Sequence, residues 1–162
     1  MLSEVEVVSP DRGKDLEEEA RLAREAEEAR RREEAAVAAA REALTAPVHF
    51  GYDLFDISPE AGRILSQKVA VMRANPNVQL RIEGHADERG SDEYNLALGL
   101  RRATAAQNYL AGFGIDASRF SLHTYGEERP ADPGQTEEAY ARNRRAEFQI
   151  TAGADRLVPP SD

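Results

Sequence analysis

The residues best suited to bind a charged ligand lie between Gly84 and Ala103. Asp87 stands in a short polar loop, and Arg102 lies on the predicted helix that opens near Asp92. A buried guanidinium needs opposite charge or hydrogen-bond acceptors, so we predict that Arg102 pairs with Asp87. An acid and a fork of donors that face one small space suit the ammonium and the carboxylate of a zwitterionic amino-acid centre.

A strand before the loop and a helix after it must position these residues. Apolar and polar residues alternate from Val78 to Glu83, which predicts a strand with one buried face. The helix has a free N-terminus, which favours an anionic ligand group, and an apolar stripe that Arg102 interrupts. The stripe comprises Leu98, Arg102, Ala106 and Leu110, with Asn95 before it on the same side.

A second acid, Asp53, ends another predicted strand, which begins at Val48. Further strands are predicted around Phe120 and from Arg145 to Thr151, and the segments between strands have helical patterns. Strands that alternate with helices predict an α+β fold, an α/β two-layer sandwich in which helices cover one face of a small four-stranded sheet.

The predicted domain covers residues 47–151, and different segments flank it. Residues 1–14 contain a cluster of helix breakers and predict a flexible leader, whereas residues 15–45 are rich in Ala, Glu and Arg and predict a long helix. A heptad pattern places charges at most core positions, so a solvated spacer is favoured over a helix that drives assembly. Residues 152–162 predict a disordered tail.

Composition excludes several classes of function. The chain has 162 residues and a net charge of −9, which argues against nucleic acid as a partner. It has no cysteine, so disulfides and thiolate metal sites are excluded. No apolar run is long enough to span a bilayer, and the first residues lack the pattern of a secretory signal, which leaves both a truncated mature form and a natural variant without an anchor open.

Two enzymatic alternatives have weak support in the sequence. A metal hydrolase would use His49, His85 and His123, but their spacing matches no metal-binding motif. A glycosidase acting on cell-wall sugar would use Asp53 and Asp87 as paired carboxylates. Neither a nucleophile motif nor a cofactor motif occurs, so we expect a binding protein with no cofactor and no metal.

Three blocks carry a resemblance to a known family: GHADERGSDEYNLALGLRRA, YGEERP and EEAYARNRRAEF. Over about Pro47 to Thr151 the chain resembles the peptidoglycan-associated lipoprotein family of the OmpA-like domain superfamily. The resemblance implies a mixed sheet and non-covalent binding of diaminopimelate in peptidoglycan stem peptides. It also implies a periplasmic location, attachment to the outer membrane through a lipid anchor that this chain lacks, and Tol-system partners such as a TolB-like protein.

The resemblance also assigns roles to individual residues. Asp87 matches the acid that meets the ligand's charged end, and Arg102 matches the arginine that meets its carboxylate. The other implied contacts are Asn95, Leu98, Tyr52 and Asp53 in the pocket, with His85 and Ala86 at its rim and Arg144 as a supporting residue. Leu54 and Leu100 depart from the polar residues usual in the family. The wall-binding domain of a porin or of a flagellar stator remains an alternative.

Overall fold

The structure, a computed structural model, describes residues 10–161. Four helices and four strands alternate along the chain, with single 3₁₀ turns at Ala117–Arg119 and Ala154–Arg156. In order they are α1 (Pro10–Thr45), β1 (Val48–His49), α2 (Pro59–Ala74), β2 (Gln79–His85), α3 (Asp92–Ala111), β3 (Phe120–Gly126), α4 (Glu137–Asn143) and β4 (Arg145–Ala152).

The strands form one mixed sheet in the order β1-β4-β2-β3. Strand β4 is antiparallel to both β1 and β2, whereas β2 and β3 are parallel. The parallel pair is connected through α3, as a crossover between parallel strands requires. The prediction of an α+β two-layer fold with a mixed four-stranded sheet and a long N-terminal helix is therefore confirmed.

The core lies between the sheet and the apolar stripes of α2 and α3. Each residue of the stripe predicted for α3 is buried, with Arg102 fully buried among them, and α2 also buries an apolar stripe of helical spacing. Removing a Leu or Val side chain from water contributes about 1.5–3 kcal/mol relative to exposure, so these stripes fix both helices on the sheet. The buried residues are Ala61, Leu65, Val69 and Met72 of α2 and Asn95, Leu98, Arg102, Ala106 and Leu110 of α3.

Two serines define where the central helices begin. Ser58 accepts a hydrogen bond from the Ala61 amide at 3.1 Å, and Ser91 accepts one from the Tyr94 amide at 3.2 Å. Such caps satisfy amides that have no partner within the helix. The cap at Ser91 starts α3 immediately after the polar loop that contains Asp87.

Helix α3 lies directly against β2 at a pair of glycines. A Cβ atom on Gly84 would stand 1.7 Å from the carbonyl oxygen of Gly99, so no larger residue fits there without displacement of the helix. This contact sets the distance between the end of β2 and the first turns of α3, which are the two elements that carry the predicted ligand-binding residues.

The chain divides into two compact units, and the boundary falls within the charged helix α1, where the second unit begins at Val37. In residues 11–36 almost every side chain is exposed, and ion pairs such as Arg30–Glu34 follow the helical spacing. In the second unit, Leu44 is buried in the core, and the Lys68 ammonium donates to the carbonyls of Ala43, Leu44 and Ala46 at 2.8, 3.1 and 2.6 Å. Lys68 thus satisfies carbonyl groups where α1 ends.

Three segments differ from their predictions. Strand β1 ends at His49, and residues 50–58 form a loop in which Asp53 has a φ of 55°. The predicted disordered tail is wrong for residues 152–161, because Leu157 is buried and Val158 exchanges two 2.8 Å hydrogen bonds with the Asn75 side chain. Of the predicted leader, residues 10–14 are helical, and residues 1–9 lie outside the described range.

None of the helices within residues 10–161 combines the length and the apolar character that a membrane-spanning segment needs.

Candidate functional site

A small pocket opens where the loop after β1 meets the β2–α3 loop and the first turns of α3. Its volume is about 140 Å³. Two acids and one arginine line it together with two tyrosines, so it combines charged groups with apolar walls. The lining residues are Tyr52, Asp53, Ala86, Asp87, Arg89, Gly90, Tyr94, Asn95 and Leu98.

The partner of Asp87 is Arg89. The Arg89 Nε and Nη2 atoms donate to the two carboxylate oxygens at 3.1 and 2.8 Å, and the Arg89 backbone amide donates at 3.0 Å. Burial alone would raise the pKa of Asp87, but these hydrogen bonds and the positive charge hold it below its ordinary value. Asp87 is therefore an ionised acid that already has a cationic partner.

Arg89 is held by aromatic rings as well as by charge. Its guanidinium lies 4.3 Å from the ring centre of Tyr52 and 4.4 Å from that of Tyr140. It also lies 3.7 Å from the Glu137 carboxylate. These two cation–π contacts add to the ion pair and help to hold the guanidinium at Asp87.

Arg102 has different partners from those predicted. Its Nε, Nη1 and Nη2 atoms donate to the carbonyls of Leu54, His85 and Gly51 at 2.9, 2.9 and 3.2 Å. The predicted Asp87–Arg102 pair is wrong, because backbone carbonyls of the loop after β1 and of the end of β2 supply the acceptors. Burial lowers the pKa of Arg102 to about 10, so the side chain stays charged at neutral pH. Arg102 thus connects the two walls of the pocket.

Arg144 adds a second connection below the pocket. Its Nε donates to the Phe50 carbonyl at 2.9 Å, and its Nη1 lies 3.1 Å from the Glu137 carboxylate and 3.8 Å from that of Asp87. The side chain is largely buried, so these contacts fix the start of the loop that carries Tyr52.

Acidic groups also surround the first turn of α3. The Tyr94 hydroxyl donates to Asp53 across the pocket, and the Asn95 amide donates to Glu127 at 3.1 Å. Asp92 and Glu93 occupy the first turn itself, where they already complement the positive end of the helix dipole. These acids suit the pocket to a cationic ligand group. The sequence had instead predicted a free helix N-terminus, which favours an anionic group.

Comparison with known proteins places the domain in a family. A model of the OmpA family matches residues 49–144, which is more than half of the chain. The chain belongs to the OmpA family.

Within the OmpA family, the chain is similar to peptidoglycan-associated lipoproteins, as the sequence predicted. It is 50% identical to that of Haemophilus influenzae over 99 residues, or 61% of this chain and 65% of the relative. It is 46% identical to that of Pasteurella multocida over 99 residues, or 61% of this chain and 66% of the relative. The chain thus spans slightly less than two thirds of the length of these relatives.

Solved structures agree with the OmpA-like fold. The crystal structure of the peptidoglycan-associated lipoprotein from Burkholderia pseudomallei aligns with a TM-score of 0.63 at 32% identity, over 65% of this chain and 89% of that chain. The C-terminal domain of Helicobacter pylori MotB aligns with a TM-score of 0.61 at 19% identity, over 67% of this chain and 86% of that chain, and shows a shared fold.

The structure brings most of the predicted site residues to this OmpA-like pocket. Three of them do not line it: Arg102 and Arg144 lie behind its walls, and the ring of His85 stacks on Tyr125 with centroids 5.4 Å apart. Their contact with a ligand stays a prediction. The residues that do line the pocket are Tyr52, Asp53, Ala86, Asp87, Asn95 and Leu98.

Sequence reasoning missed Arg89, Gly90 and Tyr94 as lining residues. A signal was present in the block DERG, where an arginine follows the acid by two positions and a glycine comes next. Gly90 has a φ of 98°, a conformation that favours glycine, and this tight turn brings Arg89 back over Asp87.

Proposed function

We propose that this domain binds peptidoglycan non-covalently through the diaminopimelate of the stem peptide. The observation that carries the proposal is the pocket of opposed charges at Asp87, in a chain of the OmpA family whose similar relatives are named peptidoglycan-associated lipoproteins. Diaminopimelate bears ammonium groups on a carbon chain, so a pocket that combines acids with apolar walls complements it.

In this proposal Asp87 binds the ammonium group, and Asp53 faces the ligand from the opposite wall. Arg102 positions both walls through the carbonyls of Gly51, Leu54 and His85. Arg102 is fully buried, so direct contact with a ligand carboxylate, which the family resemblance implies, would require the loop of residues 50–58 to move aside.

The pocket supports binding better than hydrolysis. A paired-carboxylate glycosidase needs one carboxyl group that holds a proton near neutral pH, so its pKa must be raised. The pKa of Asp87 is lowered instead, and both of its oxygens accept hydrogen bonds from Arg89. We infer that the domain is not an enzyme.

Titration calorimetry with a muropeptide that contains diaminopimelate tests the proposal. We expect saturable binding and NMR chemical-shift changes at Ala86–Asn95, with weaker binding of a matched muropeptide that has lysine at the same position. Sacculi incubated with the protein should release no soluble fragments. The absence of both heat and shift changes would overturn the proposal, and released fragments would support the hydrolase instead.

Arg89 should act as an internal competitor for the ammonium group, because it occupies both oxygens of Asp87. A ligand that pairs with Asp87 must first displace a partly exposed ion pair, which we put at about 0.5–1 kcal/mol. We therefore expect Arg89→Ala to bind the muropeptide about 2–5-fold more tightly in calorimetry.

Arg142→Ala is the matched control for this prediction. Arg142 forms a comparable surface ion pair with Asp132 at 2.6 Å, outside the pocket lining, so its removal should leave affinity unchanged. Weaker binding by Arg89→Ala would mean that Arg89 contacts a ligand carboxylate. Absent binding by the unmodified protein would instead contradict the proposed function itself.

At the level of the cell, we propose that the domain tethers the outer membrane to the wall from the periplasm, within a Tol-type envelope system. A TolB-like protein and a lipid anchor on the outer membrane are the partners that this role requires. The exposed helical residues 11–36 would serve as a spacer. The porin and stator alternatives use the same pocket chemistry and differ in what precedes the domain.

A further inference from the structure

A second group of ligand-type side chains lies on the sheet, separate from the pocket. Glu83 of β2 stands directly opposite Glu147 of β4, and His85 follows Glu83 by two residues on the same face. One ligand atom from each of the three side chains lies within 4.8 Å of the other two. Because adjacent strands carry all three residues, the backbone holds them in a fixed arrangement.

The imidazole of His85 has no hydrogen-bond partner within the part of the chain that the structure describes. The residue is 1% exposed, and both ring nitrogens are buried without a partner. The nearest carboxylate atom, Oε2 of Glu147, lies 3.9 Å from Nε2, which is too far for a hydrogen bond. A buried polar group without a partner is costly and rare in native proteins, so this imidazole points to an additional ligand.

In each carboxylate of the group, one oxygen atom accepts a hydrogen bond from an arginine. Arg145 donates to Oε1 of Glu147 at 2.7 Å, and Arg81 donates to Oε2 of Glu83 at 3.0 Å. The other oxygens are less engaged, since Oε1 of Glu83 accepts only a 3.4 Å hydrogen bond from Gln149. Two acids directly opposite each other on neighbouring strands repel, so a cation between them would stabilise the pair.

We propose that Glu83, His85 and Glu147 form a binding site for a divalent transition-metal ion of the Zn²⁺ type. One imidazole nitrogen and two carboxylate oxygens are ligands that Zn²⁺ accepts, with water at the remaining position. Arg81 and Arg145 orient the carboxylates from outside, as the outer partners of metal ligands do. The side-chain ends need only small rotations to reach a common ion.

The surroundings set the expected strength of the site. The His85 imidazole is buried, and burial favours the neutral form that binds a metal ion. The two arginines already balance the two glutamates, which reduces the attraction for a further cation. We therefore expect micromolar rather than nanomolar affinity. The ion can enter along Glu147, which is 36% exposed.

The test is a titration of the untagged, chelator-treated full chain with ZnCl₂, followed by calorimetry and by metal analysis after gel filtration. We expect one equivalent of Zn²⁺ per chain and a higher melting temperature in its presence. Glu147→Gln and His85→Gln should each weaken binding by about tenfold or more. His49→Gln changes an exposed histidine of β1, a strand that β4 separates from Glu83 and His85, so this variant is the matched control and should bind as before.

Glu147→Gln decides the outcome if the buried His85 variant does not fold, because Glu147 lies at the accessible side of the site. No binding by the unmodified chain would overturn the proposal and leave a buried water as the partner of His85. Unchanged binding by Glu147→Gln, or loss of binding by His49→Gln, would also overturn it. No muropeptide is used, so the result is independent of the peptidoglycan-binding proposal.

Discussion

Replacing Arg102 with methionine should lower the free energy of unfolding by about 3–5 kcal/mol and abolish muropeptide binding. The guanidinium is fully buried and supplies the hydrogen bonds of the Gly51, Leu54 and His85 carbonyls. Methionine fills similar volume but donates no hydrogen bond, so these carbonyls lose their partner. The loop that carries Tyr52 and Asp53 then separates from the end of β2.

Urea denaturation and calorimetry measure the two effects on the same samples. Arg101→Met is the matched control, because Arg101 is exposed on the neighbouring position of α3 and should change stability by less than about 0.5 kcal/mol. Arg102→Lys keeps the charge but loses the planar fork of donors, so the stability of this variant should lie between that of Arg102→Met and that of the unmodified protein. A stable Arg102→Met variant with normal affinity would show that the carbonyl contacts do not organise the pocket.

The helices and the sheet were predictable because their signals are local. Helix α3 begins at Asp92, where the sequence predicted that it would open, and the helical spacing of its apolar residues identified its buried face. Even the burial of Arg102 followed from its place in the stripe. Patterns of this kind depend on neighbours within a few residues, which a single sequence displays.

The partners of charged groups were less predictable. Arg102 was paired with Asp87 because both are charged, yet its acceptors are backbone carbonyls, which every residue possesses and no sequence pattern marks. Asp87 in turn bonds to Arg89, whose geometry depends on the positive φ of Gly90. A charge in the sequence indicates that a partner is needed, but loop conformation decides which one it is.

The structure departs from the predictions at both ends of the domain for a related reason. Val48, Phe50 and Tyr52 alternate with other residues as in a strand, but β1 pairs only over Val48–His49. The Phe50 carbonyl accepts a hydrogen bond from the Arg144 side chain instead of continuing the strand pairing. The tail after β4 looked disordered because it contains two prolines. Tertiary contacts override such local signals, as Leu157 shows by packing in the core.

Asp87→Asn should weaken muropeptide binding by about 2–4 kcal/mol, or at least about thirtyfold, because the ligand ammonium loses its charged partner. The change keeps the size of the side chain and removes its charge. It also removes the Asp87 carboxylate as a charged partner of Arg89 and of the buried Arg144, so we expect some loss of stability.

The pH dependence of stability provides a second measurement on the same variant. The pKa of Asp87 is lowered in the folded protein, so its stabilising contribution is present above the ordinary pKa of 3.8 and is lost as the pH falls through the lower, folded value. Asp87→Asn should therefore unfold with a weaker dependence on pH in this acidic range.

Asp132→Asn is the matched control for both measurements. The Asp132 carboxylate also has a lowered pKa and pairs with Arg142, but it does not line the pocket. Asp132→Asn should lose part of the acid dependence of stability and keep its affinity. If Asp87→Asn also kept its affinity, the ammonium would not pair with Asp87, and Asp53 on the opposite wall would become the acid to test.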